Sequence, residues 1–235
     1  MMALKSAIAA NLERARERIH AACARAGRRT DEITLIAVSK TFPAESIRAA
    51  YAAGLRVFGE NRVQESETKS AALADLDADW HLIGHLQSNK ARRAAQLFSH
   101  VDSIDSAALA SKLDAVAAEF GKRMPVLIEV QLGGEAAKSG VPPEQLHALA
   151  DHIAALAHLQ LRGLMCVPPF FEDPQGVRPY FAKLRALRDN LAARRNIALP
   201  ALSMGMSHDF EVAIEEGATE IRIGSALFGA RARKP

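Results

Sequence analysis

The sequence predicts an α/β fold, a single (β/α)8 TIM barrel with an extra N-terminal helix, over all 235 residues. About eight short apolar runs alternate with helical patterns, and a longer amphipathic pattern precedes the first run. Such alternation implies parallel strands joined by right-handed crossovers, and eight such units close into a barrel. An open doubly wound sheet is the alternative, but no G-x-G-x-x-G sequence follows the first run. No linker or internal repeat divides the chain, so residues 1–235 are expected to form one domain.

The spacing of apolar residues places each element in order. Residues 3–26 carry apolar side chains every three or four positions, which predicts a helix that ends at Gly27. The arginine-rich opposite face of this helix is expected to be solvated. The predicted strands are 33–38, 55–58, 80–83, 100–104, 126–130, 161–166, 201–204 and 220–223. The predicted helices between them are 44–53, 60–75, 88–97, 106–121, 143–157, 175–195 and 208–216, and a last short helix follows Gly224.

Composition excludes several classes of partner. Lys and Arg number 30 and Asp and Glu 27, so the formal charge of +3 is too small to indicate nucleic-acid binding. Cys23 and Cys166 lie far apart and predict free thiols in a reducing compartment. The sequence has no signal-peptide pattern and no apolar run long enough to span a bilayer. We therefore expect a soluble, cytoplasmic, monomeric protein with no membrane or nucleic-acid partner.

The first predicted strand ends in an amine, Lys40. Lysine is rarely buried without a partner, so Lys40 either reaches solvent or faces a pocket at the rim where barrel active sites lie. Apolar walls or nearby cations lower the pKa of a lysine and let its amine attack a carbonyl. We interpret Lys40 as the residue that forms a Schiff base with an aldehyde cofactor. Other lysines are expected to be solvated on helices (Lys5, Lys69, Lys112, Lys122, Lys183) or to be secondary rim contacts (Lys90, Lys138).

The loops after the seventh and eighth strands predict a phosphate site. Barrels often bind phosphate there, and both loops contain glycine and hydroxyl groups. The residues concerned are Ser203 and Ser207 in the first loop, and Gly224 and Ser225 in the second. Glycine lets an anion approach the backbone, and the start of a helix offers free N–H groups. Taken singly, Ser207 or Ser225 could only cap a helix.

Three further polar residues have two interpretations each. Arg222, on the eighth strand, suits the ring nitrogen of an aromatic cofactor, or it forms an ion pair with a carboxylate such as Glu129. Asn61 either contacts a ring substituent or caps the second barrel helix. His81 is interpreted as a hydrogen-bonded core histidine. The histidines show no paired-ligand spacing, so no metal site is predicted.

Several segments together resemble the pyridoxal phosphate homeostasis protein family, whose barrel is similar to that of alanine racemase. The segments are 37–41, 58–61 with 63–65, 80–84 with 86–90, 138–140, 161–165, 203–207 and 222–224. The resemblance implies that Lys40 carries pyridoxal 5'-phosphate (PLP) as a Schiff base and that Ser207, Gly224 and Ser225 hold its phosphate. It also implies that Arg222 faces the pyridine nitrogen and that Asn61 lines the pocket. Arg62, where many relatives have Tyr, and the variable segment 133–137 depart from the pattern.

The resemblance implies a role in PLP homeostasis and delivery, with apo PLP-dependent enzymes as candidate recipients and no catalytic turnover. An amino-acid racemase is the alternative, but it needs two acid–base groups, commonly a lysine and a tyrosine. The only tyrosines, Tyr51 and Tyr180, fall on predicted helices. An arginine at the ring nitrogen also weakens the ring as an electron sink. An imine-forming aldolase acting on a sugar phosphate is a third hypothesis.

Overall fold

The computed structural model describes residues 2–133 and 139–229, and within these ranges eight parallel strands form a closed barrel. Each strand pairs with the next, and β1 and β8 close the barrel with Ala37 opposite Ile223. The strands are β1 Thr34–Val38, β2 Val57–Glu60, β3 Asp79–Leu82, β4 His100–Ile104, β5 Met124–Glu129, β6 Leu159–Met165, β7 Ala201–Met206 and β8 Glu220–Ile223. The predicted (β/α)8 barrel is confirmed.

A helix follows every strand, and a further helix precedes the barrel. The helices are α1 Met2–Arg25, α2 Ala44–Ala52, α3 Val63–Leu73, α4 Ala91–Leu97, α5 Ala107–Glu119, α6 Leu146–Ala154, α7 Arg178–Arg195, α8 Phe210–Glu215 and α9 Ser225–Phe228. Single 3-10 turns precede α4, α6 and α7, where the sequence predicts longer helices. None of the helices in the described ranges is both long and apolar enough to cross a bilayer.

The extra helix α1 packs on the outside of the barrel against α2, α8 and α9. Its buried stripe runs from Ile8 to Cys23, one turn shorter than predicted because Leu4 is exposed. Part of its basic face is paired rather than merely solvated: Arg18 forms two hydrogen bonds with Glu211, and Arg25 donates to Glu215 at 2.8 Å. These pairs join α1 to α8, although exposed pairs each contribute only about 0–1 kcal/mol.

Strand β2 lies two residues further along the chain than predicted, since it includes Gly59 and Glu60. Glu60 is fully buried, whereas the sequence prediction placed it at the start of the helix 60–75. A buried carboxylate is tolerated only when it is hydrogen-bonded. Glu60 Oε1 accepts from Ser39 Oγ at 2.6 Å and from Lys69 Nζ at 3.0 Å, so the strand can continue through this position.

Candidate functional site

The carboxyl ends of β1 and β8 lie side by side, and this brings Lys40 next to the β8–α9 turn. Lys40 is half-buried, two residues beyond β1, in a turn closed by a hydrogen bond from Phe42 N to Ser39 O at 3.1 Å. Thr41 has a φ of 69°, a conformation that L-residues seldom adopt. The sequence placed Lys40 on the active rim of a barrel, and the strand positions agree with that placement.

The turn at Gly224 packs directly on the strand that leads to Lys40. A Cβ atom at Gly224 would lie 3.4 Å from Val38 O and 3.5 Å from Val38 Cβ. Beyond the two turns, the rings of Phe42 and Phe228 stack with centroids 5.0 Å apart. A ligand that touches the backbone of Gly224 is therefore within a short distance of the Lys40 turn.

Ser207 lies against the same turn. Its Oγ accepts hydrogen bonds from Gly224 N at 3.2 Å and from Ala226 N at 3.3 Å. Ser207 does not cap α8, whose N-cap is Asp209, and Ser225 is the exposed first residue of α9. Two backbone N–H groups thus converge on the Ser207 hydroxyl at the start of α9, and such donors suit a phosphate oxygen.

Arg222 is buried and spans three strands. Its Nη1 donates to Ser203 Oγ and its Nη2 donates to Cys166 O, both at 2.8 Å. Glu129 is not the hydrogen-bond partner in the described residues; it accepts instead from Ser139 Oγ at 2.8 Å, and burial raises the pKa of its carboxyl group. A guanidinium has five N–H donors, so Arg222 retains donors for a ligand. Ser203 lies inside the barrel beside Arg222, not at the rim with Ser207.

Asn61 follows β2 and does not cap α3, whose N-cap is Arg62. Its Oδ1 is buried and has no hydrogen-bond partner in the described part of the chain. Burying an amide oxygen without a partner is costly, so this atom suits a donor group on a ligand. It adjoins a rim cavity of about 560 Å³. The cavity is also lined by Arg62, Val63, Gln64, Gly84, His85, Gln87 and Lys90.

The Lys69 cluster, formed by Lys69, Glu60, Glu65 and Ser39, was missed because Lys69 was predicted to be solvated. Lys69 is buried, and its Nζ donates to Glu60 Oε1 at 3.0 Å, to Glu65 Oε1 at 2.7 Å and to Ser39 O at 3.1 Å. Glu65 also accepts from Thr41 N. The cluster therefore holds both residues that flank Lys40.

The pKa values of the two carboxyl groups in the Lys69 cluster are shifted in opposite directions. Burial raises the pKa of Glu60 and outweighs the bonds from Ser39 and Lys69. Burial acts in the same sense on Glu65, but the bonds from Lys69 and Thr41 N outweigh it and lower the pKa. A sequence signal did exist: Lys69 shares one helical face with Val63, Ser66 and Leu73, all buried.

Three histidines have polar partners of their own. His85 pairs with Asp105 at 3.1 Å, and His208 contacts the Phe171 and Glu172 carbonyls. His81 is buried and hydrogen-bonded to Asp102, as predicted. Lys138 lies outside the described residues.

Comparison with known proteins now identifies the family. The profile of the alanine racemase N-terminal domain matches residues 5–232. A pyridoxal phosphate homeostasis protein of Aquifex aeolicus is 51% identical over 94% of this chain and 96% of its own length. The chain belongs to the pyridoxal phosphate homeostasis protein family. A family member from Pseudomonas aeruginosa is 47% identical over 96% of each chain.

Solved structures agree with this membership. PipY of Synechococcus elongatus, a structure with PLP bound, has a TM-score of 0.85 and 42% identity, covering 94% of this chain and all of its own. An alanine racemase from Clostridium difficile has a TM-score of 0.73 at 13% identity, and this chain covers 57% of it. The second likeness shows the fold alone. The resemblance to the pyridoxal phosphate homeostasis protein family is thus confirmed, and so is the barrel.

Proposed function

We propose that this protein binds PLP and serves its intracellular homeostasis, holding the cofactor as a Schiff base on Lys40 and passing it to apo-enzymes without catalytic turnover. The observation that carries the proposal is the packing of the Ser207–Gly224 turn against the strand that ends at Lys40. An amine and an anion site side by side suit an aldehyde that also bears a phosphate. The PLP-bound PipY structure and the names of the relatives support the same ligand.

The residues present fit the cofactor. Gly224 N, Ala226 N and the hydroxyls of Ser207 and Ser225 would bind the phosphate oxygens. Asn61 Oδ1, which has no partner in the described residues, would accept from a ring substituent. Arg222 would donate to the ring nitrogen, with Ser203 and Cys166 O holding its guanidinium in place.

Lys40 would bind the aldehyde covalently. The amine would form a C=N bond to the aldehyde carbon, and the aldehyde oxygen would leave as water with the two N–H protons. Adding water reverses the step and releases the aldehyde, so the attachment is compatible with delivery. A donor on the ring nitrogen leaves that nitrogen unprotonated and the ring a weak electron sink, which favours holding the cofactor over turning over amino acids.

The racemase alternative needs a second acid–base group, commonly a tyrosine, and both tyrosines of the chain pack against other side chains. Tyr51 lies on α2 beneath the guanidinium of Arg56, with 3.9 Å between the guanidinium carbon and the ring centroid. Tyr180 lies on α7 against Phe171, with ring centroids 5.6 Å apart. Both tyrosines are engaged on helices. We also propose that the protein works in the cytoplasm, because Cys23 and Cys166 are unpaired. The monomeric state stays a prediction.

The decisive experiment compares delivery of PLP to an apo-enzyme with catalytic turnover of amino acids. We expect protein loaded with PLP to reactivate an apo PLP-dependent enzyme when a trap for free PLP is present, whereas free PLP at the same concentration is captured by the trap. The same protein should racemise none of the common amino acids above a no-protein control. Racemisation by the wild type that is lost in Lys40→Ala would instead establish the enzyme hypothesis. Capture by the trap of all the PLP loaded on the protein would contradict delivery.

Ser207→Ala is expected to weaken PLP binding by about tenfold, or about 1.4 kcal/mol. The substitution removes one hydroxyl that would donate to the phosphate, and it removes the side chain that holds the Gly224 and Ala226 N–H groups in place. A spectrophotometric PLP titration measures the change. Ser6→Ala, an exposed serine on α1, is the matched control and should bind like the wild type. Unchanged affinity in Ser207→Ala would place the phosphate elsewhere.

A further inference from the structure

Three ionisable side chains meet inside the barrel below the proposed PLP site. His81 comes from β3, Asp102 from β4 and Glu220 from the start of β8, and one ligand atom from each lies within 4.8 Å of the others. Strands β3 and β4 are not neighbours of β8, so these side chains come together across the barrel interior. The proposed PLP function uses none of them.

The cluster has more acceptors than donors. Asp102 and His81 are 1% and 5% exposed, and His81 Nδ1 lies 2.8 Å from Asp102 Oδ2. Glu220 Oε2 is buried and has no hydrogen-bond partner in the described part of the chain. Two carboxylates so close together in a low-dielectric interior require a proton or a cation between them. Burial, reinforced by the charge of Asp102, raises the pKa of Glu220 to about 7.

A cavity leads to this cluster from the amino-terminal end of the barrel. It measures about 420 Å³, and Asp102, Glu220 and His100 line it. The imidazole rings of His81 and His100 stack 4.1 Å apart at 7°, which fixes the orientation of His81.

Two of the three arginines around the cluster donate their hydrogen bonds to other groups, although the charge of Arg222 still acts on Glu220. Arg222 donates to Ser203 and Cys166 O, as described above. Arg28, on the cavity wall, donates to Ile214 O at 2.9 Å and to Ala218 O at 2.6 Å, and it pairs with Glu32. Arg162, also on the wall, is exposed to solvent.

We propose that His81, Asp102 and Glu220 bind one divalent first-row transition-metal ion, with a water from the cavity as the fourth ligand. One imidazole and two carboxylates form a mixed nitrogen–oxygen set that suits Zn²⁺ or Co²⁺ better than Ca²⁺ or Mg²⁺, which prefer oxygen alone. Bonds of about 2.1 Å in a tetrahedron put neighbouring ligand atoms roughly 3.4 Å apart, so side-chain shifts of about 1–2 Å close the site.

The metal ion would neutralise the negative charge of the two carboxylates, Asp102 and Glu220. It replaces the proton between His81 and Asp102, and it supplies the missing partner of Glu220 Oε2. The pairwise spacing of ligands along the chain does not reveal this site, because its residues lie on three separate strands. The closure of the barrel brings them together.

The test uses the untagged full-length chain, stripped with a chelator and titrated with Zn²⁺ or Co²⁺ alone. We expect one equivalent of Zn²⁺ by calorimetry and elemental analysis, and visible absorption bands of four-coordinate Co²⁺. Glu220→Gln, which keeps the side-chain shape, should weaken Zn²⁺ binding by at least about tenfold. Asp105→Asn alters a separate histidine–carboxylate pair, His85–Asp105 at the opposite rim, and should leave Zn²⁺ affinity unchanged.

Two results would overturn the proposal. One is wild-type protein that binds less than a stoichiometric amount of either ion. The other is Glu220→Gln with wild-type affinity. If Glu220→Gln does not fold, X-ray absorption of the Co²⁺-loaded wild type decides: a first shell without an imidazole nitrogen contradicts the site. PLP content of all variants is recorded in parallel, so that failure of this site is distinguished from failure of the PLP site.

Discussion

Lys40→Ala should abolish the visible absorption band that a PLP Schiff base gives to the wild-type protein. Borohydride reduction, which traps the C=N bond as an amine, should add the mass of the cofactor to the wild type and leave Lys40→Ala unmodified. The reason is chemical: the methyl group of alanine cannot form the bond, and the phosphate site alone gives only reversible binding.

A matched control for this substitution exists on the same rim. Lys90 lines the cavity beside Asn61, and Lys90→Ala should retain the band. The peptide that carries the reduced cofactor should contain residue 40 when the wild type is digested. Normal cofactor content and a normal band in Lys40→Ala would disprove the site assignment.

Lys69→Met should have the largest effect on stability, a loss of about 3–5 kcal/mol in the free energy of unfolding. The substitution removes the cation that is bonded to Glu60, Glu65 and Ser39 O, and it leaves the fully buried Glu60 without its charged partner. Chemical denaturation measures the change. Lys112→Met makes the same replacement at an exposed position on α5 and should be nearly neutral.

The loss in the free energy of unfolding caused by Lys69→Met should increase with pH. Burial already raises the pKa of Glu60 above 4.5, and loss of Lys69 raises it further. A carboxyl group with a raised pKa in the folded state stabilises when protonated, and this stability is lost as pH rises through that pKa. The variant should therefore come nearest to wild-type stability below about pH 4.5. Adding Glu60→Gln should restore part of the loss at neutral pH, and a pH-independent difference would contradict this account.

The sequence could predict the barrel because its evidence is local and repeated. Each apolar run and each helical pattern is readable by itself, and short segments such as β4 and β8 agree in both bounds. The wrong bounds and the wrong burial predictions fall on residues whose partner in the fold is distant in the sequence. Glu60 was assigned to the start of a helix because its burial depends on the tertiary contact with Lys69, and β2 was accordingly placed too early.

The candidate site was only partly predictable for the same reason. The position of Lys40 and Gly224 follows from where two strands end, so strand counting was sufficient. The roles of Ser203 and Ser207 depend on the course of β7, which extends to Met206 and whose pairing with β8 changes register between Ser203 and Met206. That irregularity separates the two serines, one toward Arg222 and the other toward the Gly224 turn.

The burial of Cys166 has a consequence for chemical selectivity. Aldehydes react with thiolates as well as with amines, and the carbonyl oxygen of Cys166 is itself bonded to Arg222. Burial raises the pKa of the Cys166 thiol to about 12, so this sulfur is protonated at neutral pH and is a poor nucleophile. Cys23, the other cysteine of the chain, lies on the buried face of α1. A reactive aldehyde held at this rim would therefore meet an amine without competition from the Cys166 thiolate.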